Sequence, residues 1–106
     1  MLARKFRLGA KFIKLTRPQT FAFLPFIIKK SLNSANHLRV GVIIGVKISP
    51  KSVERHRIKR QIMESIRLNW NLKQGADIVI IVLSPIMKLN NHTIQKEIAG
   101  AGRLVF

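Results

Sequence analysis

Cysteine is absent from the 106-residue chain, which excludes a disulfide framework, a thiolate metal site and a Cys nucleophile, and favours a cytoplasmic setting. Carboxylates are scarce too: 4 Asp and Glu stand against 20 Lys and Arg. The four, Glu54, Glu64, Asp77 and Glu97, form no obvious pair for general acid–base work or for a hard cation, so nuclease chemistry carried by the protein itself is not expected. His37, His56 and His92 lack metal-ligand spacing. No phosphate-cradling or dinucleotide-binding glycine motif occurs, since Gly41 and Gly45 fall inside an apolar segment. The longest apolar runs, residues 21–28 (broken by Pro25), 40–46 and 78–83, are strand-length and far short of the ~20 residues of a membrane span. The basic N-terminus has no apolar run of roughly 7–15 residues behind it, so no secretory signal is expected. Its acid-free, Arg-bearing character resembles a transit peptide, but its Phe and Ile content reads as core.

What is present is a folding chain coated with positive charge. Hydrophobic residues make up 47% and mean hydropathy is +0.14, too apolar for a disordered polycation. The net charge of +16 calls for a polyanion to offset self-repulsion, so nucleic acid is the leading partner class and an anionic membrane surface the second. The length fits one domain, residues 1–106.

Along the chain, residues 4–16 read as a short helix or an irregular lead-in. Residues 20–30 read as a strand in which Pro25 marks an edge or a bulge, because it cannot donate to the ladder. A polar turn over residues 31–37 leads to a second strand at 38–47, and the two suggest an antiparallel hairpin. Ser49-Pro50 is a helix-start signal, predicting a helix over 50–72 that Gln74-Gly75 ends. Ile58, Ile62 and Ile66 recur every four residues and stack on one face toward a sheet. Residues 77–83 form a continuous apolar run, the pattern of a central strand, completing a βαβ unit. After the break at Ser84-Pro85, Asn90 or Asn91 caps a last short helix carrying Ile94 and Ile98, which Gly100 ends.

The densest feature is the basic run Arg55, His56, Arg57, Lys59 and Arg60, with Lys47 and Lys51 before it and Arg67 two turns later. His56, Arg60 and Arg67 fall on one side of the helix, with Arg57 between that side and solvent. Arg55 and Lys59 lie nearer the Ile face, which is consistent only if the first turns overhang the sheet edge and border a groove. An ordinary solvated face would carry acidic partners at i+4, and these cations have none.

The segment Arg55-His56-Arg57-Ile58-Lys59-Arg60, preceded by the strand at Arg39-Val40-Gly41 and by Lys47, and followed by Arg67 and Asp77-Ile78-Val79-Ile80-Ile81, resembles the protein component of bacterial ribonuclease P. His56 stands where that family has Asn, Pro50 where it has a turn Gly, and Ile48 where it has a second turn Lys. The resemblance implies a two-layer α+β sandwich similar to a ribosomal-protein domain, with a mostly antiparallel sheet of about four strands and a βαβ crossover. It implies a protein subunit of an endonuclease that matures the 5′ end of tRNA, with chemistry carried by the RNA subunit and its Mg²⁺, and with no membrane or small-molecule cofactor. Its partners are the catalytic RNA and precursor tRNA. RNA contacts are assigned to Lys47, Lys51, Arg55, His56, Arg57, Lys59, Arg60 and Arg67. A sheet-floored cleft receives the single-stranded 5′ leader, with Phe12 as its foremost aromatic and Phe21, Phe23 and Phe26 as further candidates, since bases stack on aromatics without sequence preference. Core packing is the competing reading for each Phe. The alternative function is a small ribosomal or other structural RNA-binding protein. A membrane-active protein is disfavoured by the lack of an isolated amphipathic helix, and a DNA-compacting one by the single-strand stacking candidates.

Overall fold

The structure is a computed structural model that describes residues 3–8, 18–23, 25–45, 48–83 and 90–106. A short 3-10 turn at Arg4–Phe6 is followed by strands β1 (Gln19–Phe23), β2 (Phe26–Leu32) and β3 (Arg39–Ile43), helix α1 (Ser52–Asn69), strand β4 (Ala76–Val82) and helix α2 (Asn91–Val105). The sheet order is β1-β2-β4-β3. β1/β2 and β2/β4 are antiparallel, and β3/β4 is parallel, as the β3-α1-β4 crossover requires.

Two strand expectations are corrected. Residues 20–30 are not one strand but a tight hairpin with Pro25 in its turn, Phe23 pairing with Phe26. β2 and β3 do not pair with each other; the apolar β4 inserts between them, burying Ile78 and Ile80 completely. That is the central position its continuous apolar run predicted.

One face of the sheet meets both helices. Phe26 and Ile28 of β2, Val40 and Val42 of β3, and Ala76, Ile78, Ile80 and Val82 of β4 form the core with Ile58, Ile62 and Ile66 of α1 and Ile94 and Ile98 of α2. Each fully buried Ile contributes about 1.5–3 kcal/mol. On the other face Arg39 grips Asp77, its cross-strand neighbour, through Nε at 2.7 Å and Nη2 at 2.9 Å, and Asn33 donates to the same carboxylate at 2.8 Å. This side-on fork locks β3 to β4 and raises the Arg39 pKa through its bonds to Asp77.

The helix ends also differ from expectation. α1 starts at Ser52 and stops before Trp70, shorter than residues 50–72, and Ser49 does not cap it. Asn90 does cap α2, accepting from the Thr93 N–H at 2.8 Å. α2 runs through Gly100 and Gly102 rather than ending at Gly100. The reason lies in Trp70: its indole donates to the Ile98 carbonyl at 2.8 Å, stacks edge-on against Phe106, and lies 2.9 Å from where a Cβ on residue 102 would sit. Gly102 makes room for a neighbour rather than breaking the helix. Of residues 4–16, Arg4–Phe6 form the 3-10 turn, Arg7 bridges to Val40, and residues 9–16 lie outside the described part.

Candidate nucleic-acid interface

α1 follows β3 through the turn that ends at Lys51 and leads on to β4. Arg55 and Lys59 sit on the side of the helix nearest that strand, and with His56 they line a groove of about 140 Å³ whose other walls are Val42 and Ile44. The groove expected beside Arg55 and Lys59 is present. Sequence reasoning missed the aliphatic wall, although alternation of buried residues along β3 continued past Val42 signals it.

The turn entering α1 is held by a clasp that also escaped the sequence reading. Ser49, 1% exposed, donates its hydroxyl to Glu54 Oε2 at 2.5 Å, while its carbonyl accepts from Arg55 Nη1 at 2.7 Å. The signal was Glu54 itself, the lone acid in the basic run. It holds the turn through Ser49 rather than neutralising a groove cation.

The remaining predicted cations divide. Lys51, His56 and Arg60 are exposed and Lys59 is half-buried, and among the described residues no carboxylate pairs with any of them. Arg57 instead donates to Asn91, tying the first turns of the two helices together. Arg67 is paired with Glu64, through Nε at 3.0 Å and also through Nη2. Those bonds hold the Glu64 carboxyl down at about 2, well below the usual carboxylate range, and raise the Arg67 pKa. The structure thus brings Arg55, His56 and Lys59 together at one groove, with Arg60 and Lys51 on the adjoining surface and Arg67 apart. Lys47 lies outside the described residues.

The aromatic candidates are redistributed. Phe26 is 0% exposed in the core beneath the helices, so no base can stack on it, which corrects its assignment to the leader cleft. Phe21, on the same face by register, packs half-buried against that core. Phe23 is the last residue of β1, and Phe12 lies outside the described residues. The face turned away from the helices carries Ile27, Lys29 and Ile81, half-buried, and Ile43, exposed.

Among the described residues no three His, Asp or Glu gather where they could hold a metal ion, and no helix is long and apolar enough to cross a membrane. The family model described as Ribonuclease P matches residues 4–103. The ribonuclease P protein component of Marinobacter nauticus is 38% identical over 73 residues, which cover 69% of this chain and 54% of the relative. That of Baumannia cicadellinicola is 34% identical over 96 residues, covering 81% of this chain and 84% of the relative. The chain spans about half the length of the first curated relatives it matches. The ribonuclease P protein of Staphylococcus aureus, at 24% identity, superposes with a TM-score of 0.82 over 95% of this chain and 97% of its own, a likeness of fold. A basic helix linking β3 and β4 of a β1-β2-β4-β3 sheet, on a chain that one family model matches over residues 4–103, places this chain in the ribonuclease P protein family.

Proposed function

We propose that this chain is the protein subunit of a ribonuclease P ribonucleoprotein, working in the cytoplasm. In this reading it binds the catalytic RNA and the 5′ leader of precursor tRNA and assists the endonucleolytic cut that matures the tRNA 5′ end. The observation that carries the reading is the cluster of Arg55, His56, Lys59 and Arg60 in the first turns of α1, without carboxylate partners among the described residues, on a chain of net charge +16. Such a surface neutralises phosphates, releases their counterions and fixes the register of an RNA without reading its sequence.

The protein's part in the reaction is electrostatic and positional. Lys51, Arg55, His56, Lys59 and Arg60 face the catalytic RNA; Lys47 belongs with them by sequence. Arg57 and Arg67 contribute less, because Asn91 and Glu64 already engage them. The leader lies along the sheet face opposite the helices, where Ile27, Ile81 and Ile43 offer an apolar floor and Lys29 a phosphate contact; Phe12, outside the described residues, joins the leader contacts by sequence alone. Mg²⁺ is held mainly by the RNA and supplies the metal chemistry of the cut. Three of the four carboxylates of the chain have other roles: Glu54 bonds Ser49, Glu64 bonds Arg67 and Asp77 bonds Arg39.

The test compares affinities of the assembled ribonucleoprotein for precursor and mature tRNA, with wild-type chain and with Phe12→Ala. The wild type favours the precursor, and the variant loses about 1–3 kcal/mol of that preference, the worth of one base stack. Equal affinity for both tRNAs in the wild-type complex contradicts the leader role. A purely structural RNA-binding protein gives that result.

A further inference from the structure

We infer that the groove between the end of β3 and the start of α1 is a nucleotide pocket, which takes one unstacked base of an RNA against Val42 and Ile44 and its phosphate against Arg55 and Lys59. The inference rests on the proposed RNA-binding role and goes beyond it by assigning a ligand of defined chemistry to this groove. Its size is the first argument. A cavity of ~150 Å³ accommodates a single aromatic ring, and the groove measures about 140 Å³.

The lining is the second. A site meant for phosphate alone gains nothing from aliphatic walls, yet two of the five lining residues are Val42, nearly buried, and Ile44, half-buried. A flat heterocycle covers what Ile44 leaves exposed, with Val42 as the floor beneath, while cations at the rim stay in reach of its phosphate. Arg55 is aimed in advance: one of its terminal nitrogens is fixed on the Ser49 carbonyl at 2.7 Å, leaving the rest of the fork for an anion. Lys59, one turn on, adds a charge that no carboxylate among the described residues offsets. His56, exposed at the mouth, presents an imidazole that can stack on a base or hydrogen-bond its edge.

The geometry also restricts the form of the RNA. A base within a duplex is stacked above and below and cannot enter a groove walled by side chains, so the ligand is a nucleotide of a loop, bulge or single strand. The catalytic RNA and the precursor tRNA can both supply one.

Two experiments on the full chain decide the matter. The first is a titration at low salt with uridine 5′-monophosphate, whose base is a single ring, ribose 5-phosphate and inorganic phosphate. The pocket predicts that the nucleotide binds at least about tenfold tighter than ribose 5-phosphate. His56→Ala and Ile44→Ser each reduce that advantage to about twofold while leaving inorganic phosphate affinity within about twofold. His56 is exposed, so its variant tests the pocket even if Ile44→Ser fails to fold. Equal affinity for all three ligands, or a nucleotide advantage that survives His56→Ala, overturns the inference. The second exploits the absence of cysteine: Val53→Cys, exposed one turn before His56 and outside the groove lining, takes a photoreactive label at a single site, and the complex is crosslinked after assembly. Crosslinks to an unpaired nucleotide support the pocket and name its source, catalytic RNA or precursor. Crosslinks to paired nucleotides only, or none, overturn it. The titration judges the pocket without either RNA, so failure of the subunit role and failure of the pocket are read separately.

Discussion

Arg55 reaches back from the first turns of α1 to the carbonyl of Ser49, 2.7 Å away, while the Ser49 hydroxyl holds Glu54 at 2.5 Å, so the turn before the basic helix and its first cation are fixed by one buried residue. Ser49→Ala leaves Glu54 without that donor. The expected cost is about 1–2 kcal/mol in urea unfolding, whereas RNA affinity changes little, because Arg55 is held by the backbone carbonyl of residue 49, which alanine keeps. Unchanged stability contradicts the clasp.

The cations of α1 differ in availability, and salt dependence measures it. Lys59→Ala and Arg60→Ala each lower the slope of log affinity against log salt by about 0.7–0.9, one phosphate contact apiece, without moving the melting temperature. Glu64→Gln acts in the opposite direction, because it releases Arg67 and steepens the slope by up to the same amount. The Glu64 carboxyl is held near 2, below its unfolded value of about 4.3, so the pair's stabilisation is present above that unfolded value and is lost as pH falls toward 2. The effect of Glu64→Gln is therefore constant between pH 6 and 8, roughly the range of an RNA-binding assay. A variant that binds RNA less steeply than wild type overturns the assignment of Arg67 as a restrained cation.

The two glycines of α2 are predicted to respond oppositely to alanine. At residue 100 a Cβ meets nothing within 4 Å, so Gly100→Ala stabilises by up to about 1 kcal/mol through helix propensity and chain entropy. At residue 102 it meets the Trp70 ring at 2.9 Å, so Gly102→Ala costs about 1–3 kcal/mol despite the same gain in propensity. Thermal unfolding of the two variants, supported by Trp70 fluorescence, checks both signs.

Those glycines also show where the sequence stops being legible. Ile58, Ile62 and Ile66, the apolar run of β4 and the Asn90 cap are local signals, and each is where its pattern put it. The Gly100-Ala101-Gly102 break was misread because the demand on Gly102 comes from an indole 32 positions away, invisible to any window along the chain. The β1–β2 hairpin was hidden for a related reason: its turn lies inside an apolar run with only Pro25 to mark it, and the polar segment at 31–37 looked like the better turn. At the candidate site the cations were legible from their density and their position beside the Ile face. The partners that set their availability, Asn91 for Arg57 and Ser49 for Arg55, come from tertiary packing and from the turn geometry.

The measurement that bears most directly on the central claim is cleavage of a precursor tRNA by the cognate catalytic RNA at low Mg²⁺, with and without this chain. The account predicts that the chain restores cleavage at Mg²⁺ concentrations where the RNA alone is inactive, because side-chain cations replace free ones in screening phosphate repulsion. Combined neutralisation of Lys59 and Arg60 raises the Mg²⁺ requirement again, while cleavage at saturating protein and high Mg²⁺ changes little. An RNA that cleaves identically with and without the wild-type chain across the whole Mg²⁺ range contradicts the account.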